Sequence, residues 1–518
     1  MNVFCAATSL VCGLLGDESF AETLRVPLDY PSIQAALDAA APGDTVLVAP
    51  GEYSVTEPLT FRGKDLTLRS EGGPEATRIL FVEPPFDPLR RSVIVFDGGE
   101  TGAAALQGFT LSGGKGSQWG GGAQESGGGG ILSRNGSSPT VSDCIISGNA
   151  ARNGGGVLCD VDSSLTLEGC LIERNSATGI GGGVLWHSPA GEPILRDCRI
   201  RQNVASSGGG LFCLAGASPI VEGCLIEGNV AHSVAGGLCC LIDSSPRVTA
   251  CRFLGNLASG GGAISCETST DSPVFTNCVI AGNLAVSAGA LQARDGAMPS
   301  LLHCTVTANA GEDVGGGLFC RGGAPRVVNS IVWGNTPESI CGEILGSVTA
   351  EDPLFLRAPA VDFELFELIQ VGEELLQMPL FVVDEGDCHV MAGSAALDAA
   401  TNAGVPGTDL EGVARPCGNA ADIGAYESCG SAPETPFRRS DVDGDLRLNL
   451  TDAILTLEFL FLGRETLPCR SAADSNDSGS IDLSDAIFTL GFLYLGSELP
   501  PPPFDQCGID PTPDALDC

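Results

Sequence analysis

The chain is poor in basic residues, aromatic residues and histidine. Only 26 of its 518 residues are Lys or Arg, against 64 Asp or Glu, which gives a formal charge of −38. Such an acidic chain repels phosphate backbones and anionic membranes, so nucleic acid and lipid surfaces are excluded as partners. The aromatics (21 Phe, 4 Tyr, 3 Trp) are too few for wide sugar-stacking platforms. No apolar run reaches the ~18–20 residues that a spanning helix needs, so no membrane span is expected. The four histidines (His187, His232, His303, His389) do not pair with cysteines at zinc-ligand spacing, which argues against structural zinc.

Glycine (71) and cysteine (22) are abundant instead, in a composition that is still 43% hydrophobic. A chain of this kind can bury a core, and its length suits about three domains at roughly 150 residues each. At the start, Val3 to Leu15 is apolar, and Ser19-Phe20-Ala21 offers small residues at −3 and −1 of a cut after Ala21. Residues 1–21 therefore read as an export signal, although no Lys or Arg precedes the apolar run. Export implies a secreted, extracellular or cell-surface location. It would carry twenty cysteines into an oxidising compartment, since Cys5 and Cys12 leave with the signal.

The strongest signal is an internal repeat. Cys144, Cys170, Cys198, Cys224, Cys251, Cys278, Cys304 and Ser330 follow one another at steps of 26, 28, 26, 27, 27, 26 and 26 residues. Five residues after each stands an asparagine: Asn149, Asn175, Asn203, Asn229, Asn256, Asn283, Asn309 and Asn335. Glycine clusters follow, as at Gly181–Gly183 and Gly208–Gly210. A second small or apolar column trails the first at near-constant spacing: Cys159, Trp186, Cys213, Cys239, Cys266, Ala293 and Cys320. Within a repeat, Cys198 and Ile200 alternate with Arg199 and Arg201, the period of two that marks a strand. Another apolar residue precedes each cysteine by three, from Val141 and Leu167 to Val327. A unit of this size cannot bury its apolar side alone, but stacked units form one continuous core. Rungs of a parallel sheet lie about 4.8 Å apart, so the asparagines are expected to hydrogen-bond along the axis as an amide ladder. The cysteines are expected to stack as small core hydrophobes rather than as a disulfide framework.

This pattern resembles the right-handed parallel β-helix proteins of the pectin-lyase-like superfamily, in their bacterial surface-protein branch. The N-terminal stretch adds to the likeness. Ser32 as N-cap with Ile33, Ala36 and Leu37 on one face predicts a capping helix, followed by a first strand at Thr45-Val46-Leu47-Val48. The likeness covers roughly residues 26–345 and implies a mainly β solenoid over 22–349. Beyond 350 the rhythm stops. Asp352-Pro353-Leu354-Phe355, Arg415-Pro416 and Asp422-Ile423-Gly424-Ala425-Tyr426-Glu427 resemble the choice-of-anchor Q region of secreted bacterial β-helices. Residues 350–430 are therefore expected to cap the open strand edges.

After a linker at 431–439, two segments align, Asp441 with Asp474 and Asp452 with Asp485. Asp441, Asp443, Asp445, Arg447, Asn449 and Asp452 occupy positions 1, 3, 5, 7, 9 and 12 of one loop. Asp474, Asn476, Ser478, Ser480, Asp482 and Asp485 occupy the same positions of the other. Oxygen side chains at 1, 3, 5, 9 and 12, with the position-7 carbonyl, are the ligands that Ca²⁺ takes. Two such loops, each followed by one helix, resemble a type I dockerin module over 440–518. The second loop has its turn glycine at position 6 (Gly479), whereas the first has Leu446 there and Gly444 at position 4, so weaker binding is expected of the first. The resemblance implies a cohesin-like or cell-surface partner, recognised at Leu450-Thr451 and Leu483-Ser484. One disulfide is expected among Cys469, Cys507 and Cys518.

Catalysis on this fold would use charged residues on an outer sheet face. Glu173, Arg199, Arg201, Glu227 and Arg252 form the one charged patch found on successive rungs. Alternating signs read more readily as a solvated salt-bridge face than as an active site. The expectation is a monomeric, non-catalytic, secreted or cell-surface β-helix protein, attached or assembled through its calcium module. The alternative is an extracellular polysaccharide lyase or glycoside hydrolase, with carbohydrate as ligand, acting on the outer face.

Overall fold

The computed structural model describes residues 21–504 except 120–124, 189–190, 268–271, 338–339, 346, 348–351, 362–365, 372–373, 380–382, 385, 392, 402–404, 429–436, 445–446, 463–466 and 468. The expected export signal and most of the expected linker thus lie outside the described residues. The chain forms two compact units. One runs to Val390 and takes in Ser394–Glu427; the other comprises Ser428–Cys518 with Met391–Gly393.

The first unit is a stack of parallel strands in sheets of thirteen, eleven, ten and seven strands. The repeats of Cys144 to Cys304 each supply one strand to each sheet. The repeat of Cys224 supplies Ile220–Glu222, Leu225–Glu227, Val230–Ala231 and Leu238–Leu241. Each strand pairs with its counterpart one repeat later: Ile220 with Arg247, Leu225 with Arg252, Val230 with Leu257, Leu238 with Ile264. Corners between strands are tight. Gly208 turns one of them at φ +64°, and a Cβ on the adjacent Gly209 would stand 2.5 Å from the Val230 carbonyl. Helix α1 (Ile33–Ala39) closes the first rungs. Ser32 accepts from the Ala35 amide, and Ile33, Ala36 and Leu37 are buried, as the sequence predicts.

Stacking places Val141, Leu167, Leu195, Val221, Val248, Phe275, Leu301 and Val327 in one fully buried row. The eight asparagines form the predicted ladder. Asn229 Oδ1 accepts from both the backbone and side-chain nitrogens of Asn203 at 3.0 Å, and Asn229 Nδ2 donates to Asn256 Oδ1 at 3.0 Å and to the Ile200 carbonyl at 2.9 Å. The polar atoms of this buried amide are satisfied, which removes the desolvation cost of burying it.

The cysteine columns differ from expectation in three ways. First, pairing puts Cys240 between Cys213 and Cys266, while Cys239 falls in an outward row with Leu185 and Phe212. Counting along the sequence could not choose between adjacent cysteines; the alternation of faces does. Second, Cys320 keeps its place above Ala293 but is bonded to Cys341, with Cα atoms 6.0 Å apart. Third, the first column is polar as well as small. Cys251 Sγ accepts from the Cys224 amide at 3.4 Å and donates to the Thr249 carbonyl at 3.3 Å. Ser330 plays the same part with its hydroxyl, toward the Cys304 amide (3.0 Å) and the Val328 carbonyl (2.9 Å).

Cys251→Ser should therefore unfold within about 1 kcal/mol of the parent, whereas Cys251→Ala strands the Cys224 amide and should cost about 1–3 kcal/mol. Urea unfolding compares the two, and equal losses would count against the relay. Burial pushes the thiols of Cys144, Cys224, Cys239 and Cys278 up, and that of Cys159 to about 12. They are inert as nucleophiles in the folded chain.

Residues 396–401 and 405–427, in the stretch expected to cover the strand edges, lie along the outer face of the eleven-stranded sheet. Leu254, Val279 and Ala281 point outward there yet are buried against Ala425, with Leu410 and Tyr426 beside them. Ile331 packs against Phe355, Ala396, Ala400, Ala421 and Ile423. The Ala425 amide donates to Thr305 Oγ1 at 3.1 Å, and the Gly424 amide donates to the Asn329 carbonyl at 2.9 Å.

The second unit contains α2 (Leu450–Phe461), the short α3 (Arg470–Ala473) and α4 (Leu483–Leu495). Both long helices start in a capping box. Asn449 accepts from the Thr451 amide and Asp452 accepts from the Asn449 amide; Asp482 and Asp485 do the same at the start of α4.

Candidate functional site

Three groupings carry chemistry. On the solenoid's outer face, the five charged residues of the sequence patch are engaged in ion pairs. Arg201 reaches Glu173 at 2.7 Å, Arg199 reaches Glu227 at 2.5 Å, and Arg252 lies 3.8 Å from Glu411 of the cap. Glu173 and Glu227 thus each hold an arginine, the arrangement of a salt-bridge face. Leu254 and Ala281, on the later rungs of the same face, are covered by the cap.

Beside this face, Asp387 holds His389 at 2.7 Å and raises its pKa, and the Tyr426 ring lies tilted against the imidazole with centroids 4.4 Å apart. Burial pushes the Tyr426 phenol to about 12. Deeper in lies a latch. Arg415, buried, approaches His303 Nδ1 to 2.6 Å and donates to the Asp422 (2.9 Å) and Gly424 (2.8 Å) carbonyls. Asn329 faces His303 Nε2 at 3.1 Å. Burial and the nearby guanidinium lower the His303 pKa to about 4. The latch was not legible from the sequence, because it joins the solenoid to a distant segment that carries no periodic signal.

In the second unit, the two twelve-residue loops place their first and last residues inside. Asp441, Asp452, Asp474 and Asp485 are all buried. Carboxylate oxygens of Asp441, Asp443 and Asp452 lie within 4.8 Å of one another, close enough to share one cation. Asp452 Oδ1 also accepts from the Val442 amide at 2.8 Å, which orients the carboxylate toward that point. In the second loop Asp474 accepts from the Ser478 (2.9 Å) and Gly479 (2.7 Å) amides, and Asp485 accepts from the Asn476 amide at 3.2 Å. Burial and the neighbouring Asp474 carboxylate raise the Asp485 pKa to about 6. Asn476 Oδ1 is buried with no hydrogen-bond partner. An oxygen left bare beside two inward carboxylates suits a hard cation, so the donor set fits calcium.

Ser480 and Arg447 fall at the position-7 turns, and Asn449 and Asp482 are the helix N-caps. Asp445 and Leu446 lie outside the described residues, as do Cys507 and Cys518. Gly444 is not a displaced position-6 glycine. It takes φ +72° at position 4, where Asp477 takes φ +59° in the second loop. Cys469 is disulfide-bonded, and so is Cys417.

Comparisons with known proteins bear on the solenoid. Residues 117–235 and 190–336 match the family model described as "Right handed beta helix region". No curated protein matches the chain. Among solved structures, pectate lyase Pel9A is similar at 14% identity and TM-score 0.44, over 79% of this chain and 97% of that one. The Siphovirus 9NA tailspike receptor binding domain is similar at 10% identity and TM-score 0.26, over 67% and 81%. ORF18 of Geobacillus virus E2 is similar at 11% identity and TM-score 0.29, over 69% and 74%. The ladder of repeats is a right-handed parallel β-helix.

Proposed function

We propose that the chain is a secreted or cell-surface β-helix scaffold, non-catalytic, attached or assembled through a calcium-loaded, dockerin-like module at residues 440–518. One observation carries this reading: the converging carboxylates of Asp441, Asp443 and Asp452, matched in the second loop by buried Asp474 and Asp485 beside the bare Asn476 oxygen. When bound, Ca²⁺ would tie each loop to the helix that follows it. Asp441, Asp443, Asp445, Asn449 and Asp452 would hold one ion, with the Arg447 carbonyl. Asp474, Asn476, Ser478, Asp482 and Asp485 would hold the other, with the Ser480 carbonyl.

The helix surfaces support attachment. Leu450 and Leu483 are 46% and 47% exposed, and Ile454 with Ile487 and Phe461 with Tyr494 repeat the exposed apolar pairing along α2 and α4. Apolar side chains left in water on two equivalent faces favour a protein partner, a cohesin-like domain or a cell-surface component. The non-catalytic reading rests on the paired charges of the outer face.

Native gel shift of the full chain against a panel of cohesin domains tests the proposal. Complexes should form with calcium, disappear in chelator, and weaken at least tenfold in the double variant Leu450→Asp, Leu483→Asp. Binding that survives chelator, or no binding to any member of the panel, would overturn the cohesin-type partner.

A further inference from the structure

We infer that Arg439, which lies before the first calcium-type loop and belongs to neither, is the positioning residue of the second. This rests on the calcium reading above and deepens it. Arg439 is completely buried and is among the largest such side chains in the protein. Its guanidinium donates from Nη1 to the backbone carbonyl of Asp474 at 2.8 Å, and Nη2 lies 2.9 Å from Asp477 Oδ1. Asp474 is position 1 of the second loop; Asp477 is position 4, between the ligand positions of Asn476 and Ser478.

The two loops explain why such a group is there. Position 4 requires a left-handed backbone in both, φ +72° at Gly444 and φ +59° at Asp477. Glycine adopts that conformation without steric cost, whereas an aspartate adopts it at a cost that a partner for its side chain can offset. In the second loop the holding group is the guanidinium, which hydrogen-bonds the carbonyl at position 1 with one nitrogen and sets its charge beside the carboxylate at position 4 with the other. The first loop has glycine at position 4 and so offers no carboxylate for an arginine to grip.

Arg439 is itself fixed from the other end of the unit. Its amide donates to the Pro503 carbonyl at 2.6 Å, Nε donates to the Pro502 carbonyl at 3.0 Å, and the guanidinium stands 5.5 Å from the Phe437 ring centroid. The Ser440 amide donates to the Ala472 carbonyl at 2.9 Å, tying the same segment to α3. The shape of the second loop is thus set by residues 437–440 and 502–503, near the two ends of the unit's described chain.

Calorimetric titration of the full chain with calcium tests this, with Asp441→Ala in the background so that only the second loop is read. Arg439→Met should lower the calcium affinity at least tenfold. Arg439→Lys should not restore it, because an ammonium lacks the fork. Adding Asp477→Gly to Arg439→Met should recover most of the loss, since glycine needs no holding at position 4. A merely structural arginine would give no such rescue. Unchanged affinity in Arg439→Met, or no recovery with Asp477→Gly, overturns the inference. Should Arg439→Met fail to fold, Asp477→Asn breaks the ion pair from the loop's side, and wild-type affinity there overturns it equally. If the parent chain takes up no calcium at all, the calcium reading falls and this inference with it, an outcome distinct from two intact sites that ignore Arg439.

Discussion

Replacing Asn229 by alanine should destabilise the solenoid by roughly 3–5 kcal/mol, the largest effect expected of any single polar substitution in it. Four hydrogen bonds vanish at once. The Asn203 amide loses its side-chain acceptor and the Asn203 side-chain nitrogen one of two, while Asn256 Oδ1 loses one of its two donors and the Ile200 carbonyl loses the Asn229 side chain. These groups are buried, so water cannot take over. Asn229→Asp should be no better, because it returns the acceptor but places a charge in a dry column. Asn335, at the end of the ladder, is slightly exposed; its Oδ1 accepts from both Asn309 nitrogens, but its Nδ2 donates to the Val306 and Trp333 carbonyls rather than to a further asparagine. Asn335→Ala should cost less, because no further rung depends on its donor, its bond to Trp333 is long at 3.4 Å and water can reach part of the gap. Denaturant unfolding of the three variants measures the gradient, and a loss below about 1 kcal/mol at Asn229 would mean that the ladder is decorative.

Acid should loosen the cap. His303 is neutral in the fold with a pKa of about 4, against 6.5 for a free imidazole. Its folded pKa is depressed, so the unfolded chain binds the proton first. Stability is fully present above about pH 6.5 and is lost as pH falls toward 4. The shift corresponds to about 3 kcal/mol over that window. The groups facing the imidazole are Arg415 and the Asp422 carbonyl at Nδ1 and Asn329 at Nε2, with the carboxylates of Asp422 and Glu427 beyond Arg415. Burial pushes the Glu427 carboxyl up, which acts in the opposite sense. His303→Gln separates the two contributions. Hydrogen-exchange protection across residues 394–427, with rates corrected for the slower intrinsic exchange in acid, should fall between pH 7 and 4.5 in the parent and change far less in this variant. Equal loss of protection in both would remove His303 as the cause.

The solenoid was legible in the sequence because it is periodic. Alternation of Cys198, Arg199, Ile200 and Arg201 sets the faces, and the asparagine register sets the rungs. What escaped was whatever breaks the period. Cys239 and Cys240 are adjacent, so spacing alone misassigned the column, and only strand pairing resolves it. Leu254 and Ala281 stand on the outward side of their strands, yet Ala425 covers them, held by contacts such as its amide with Thr305, which no spacing encodes. His303 and Arg415 are likewise distant in sequence. The twelve-residue loops were legible because their oxygen-bearing side chains recur in order along the chain. The use of Gly444 at position 4, and the reach of Arg439 into the other loop, depend on backbone conformation and chain packing.

The central claim is that residues 440–518 form a calcium-loaded module. Titrating the chelator-treated full chain with calcium in a calorimeter tests it most directly, with thermal unfolding recorded at the two endpoints. Two binding events are expected, one lost in Asp441→Ala and the other in Asp474→Ala. Calcium at a thousandfold over its Kd should stabilise the module by about 4 kcal/mol per site and leave the solenoid's transition in place. No heat of binding, together with superimposable unfolding curves in calcium and in chelator, would contradict the account.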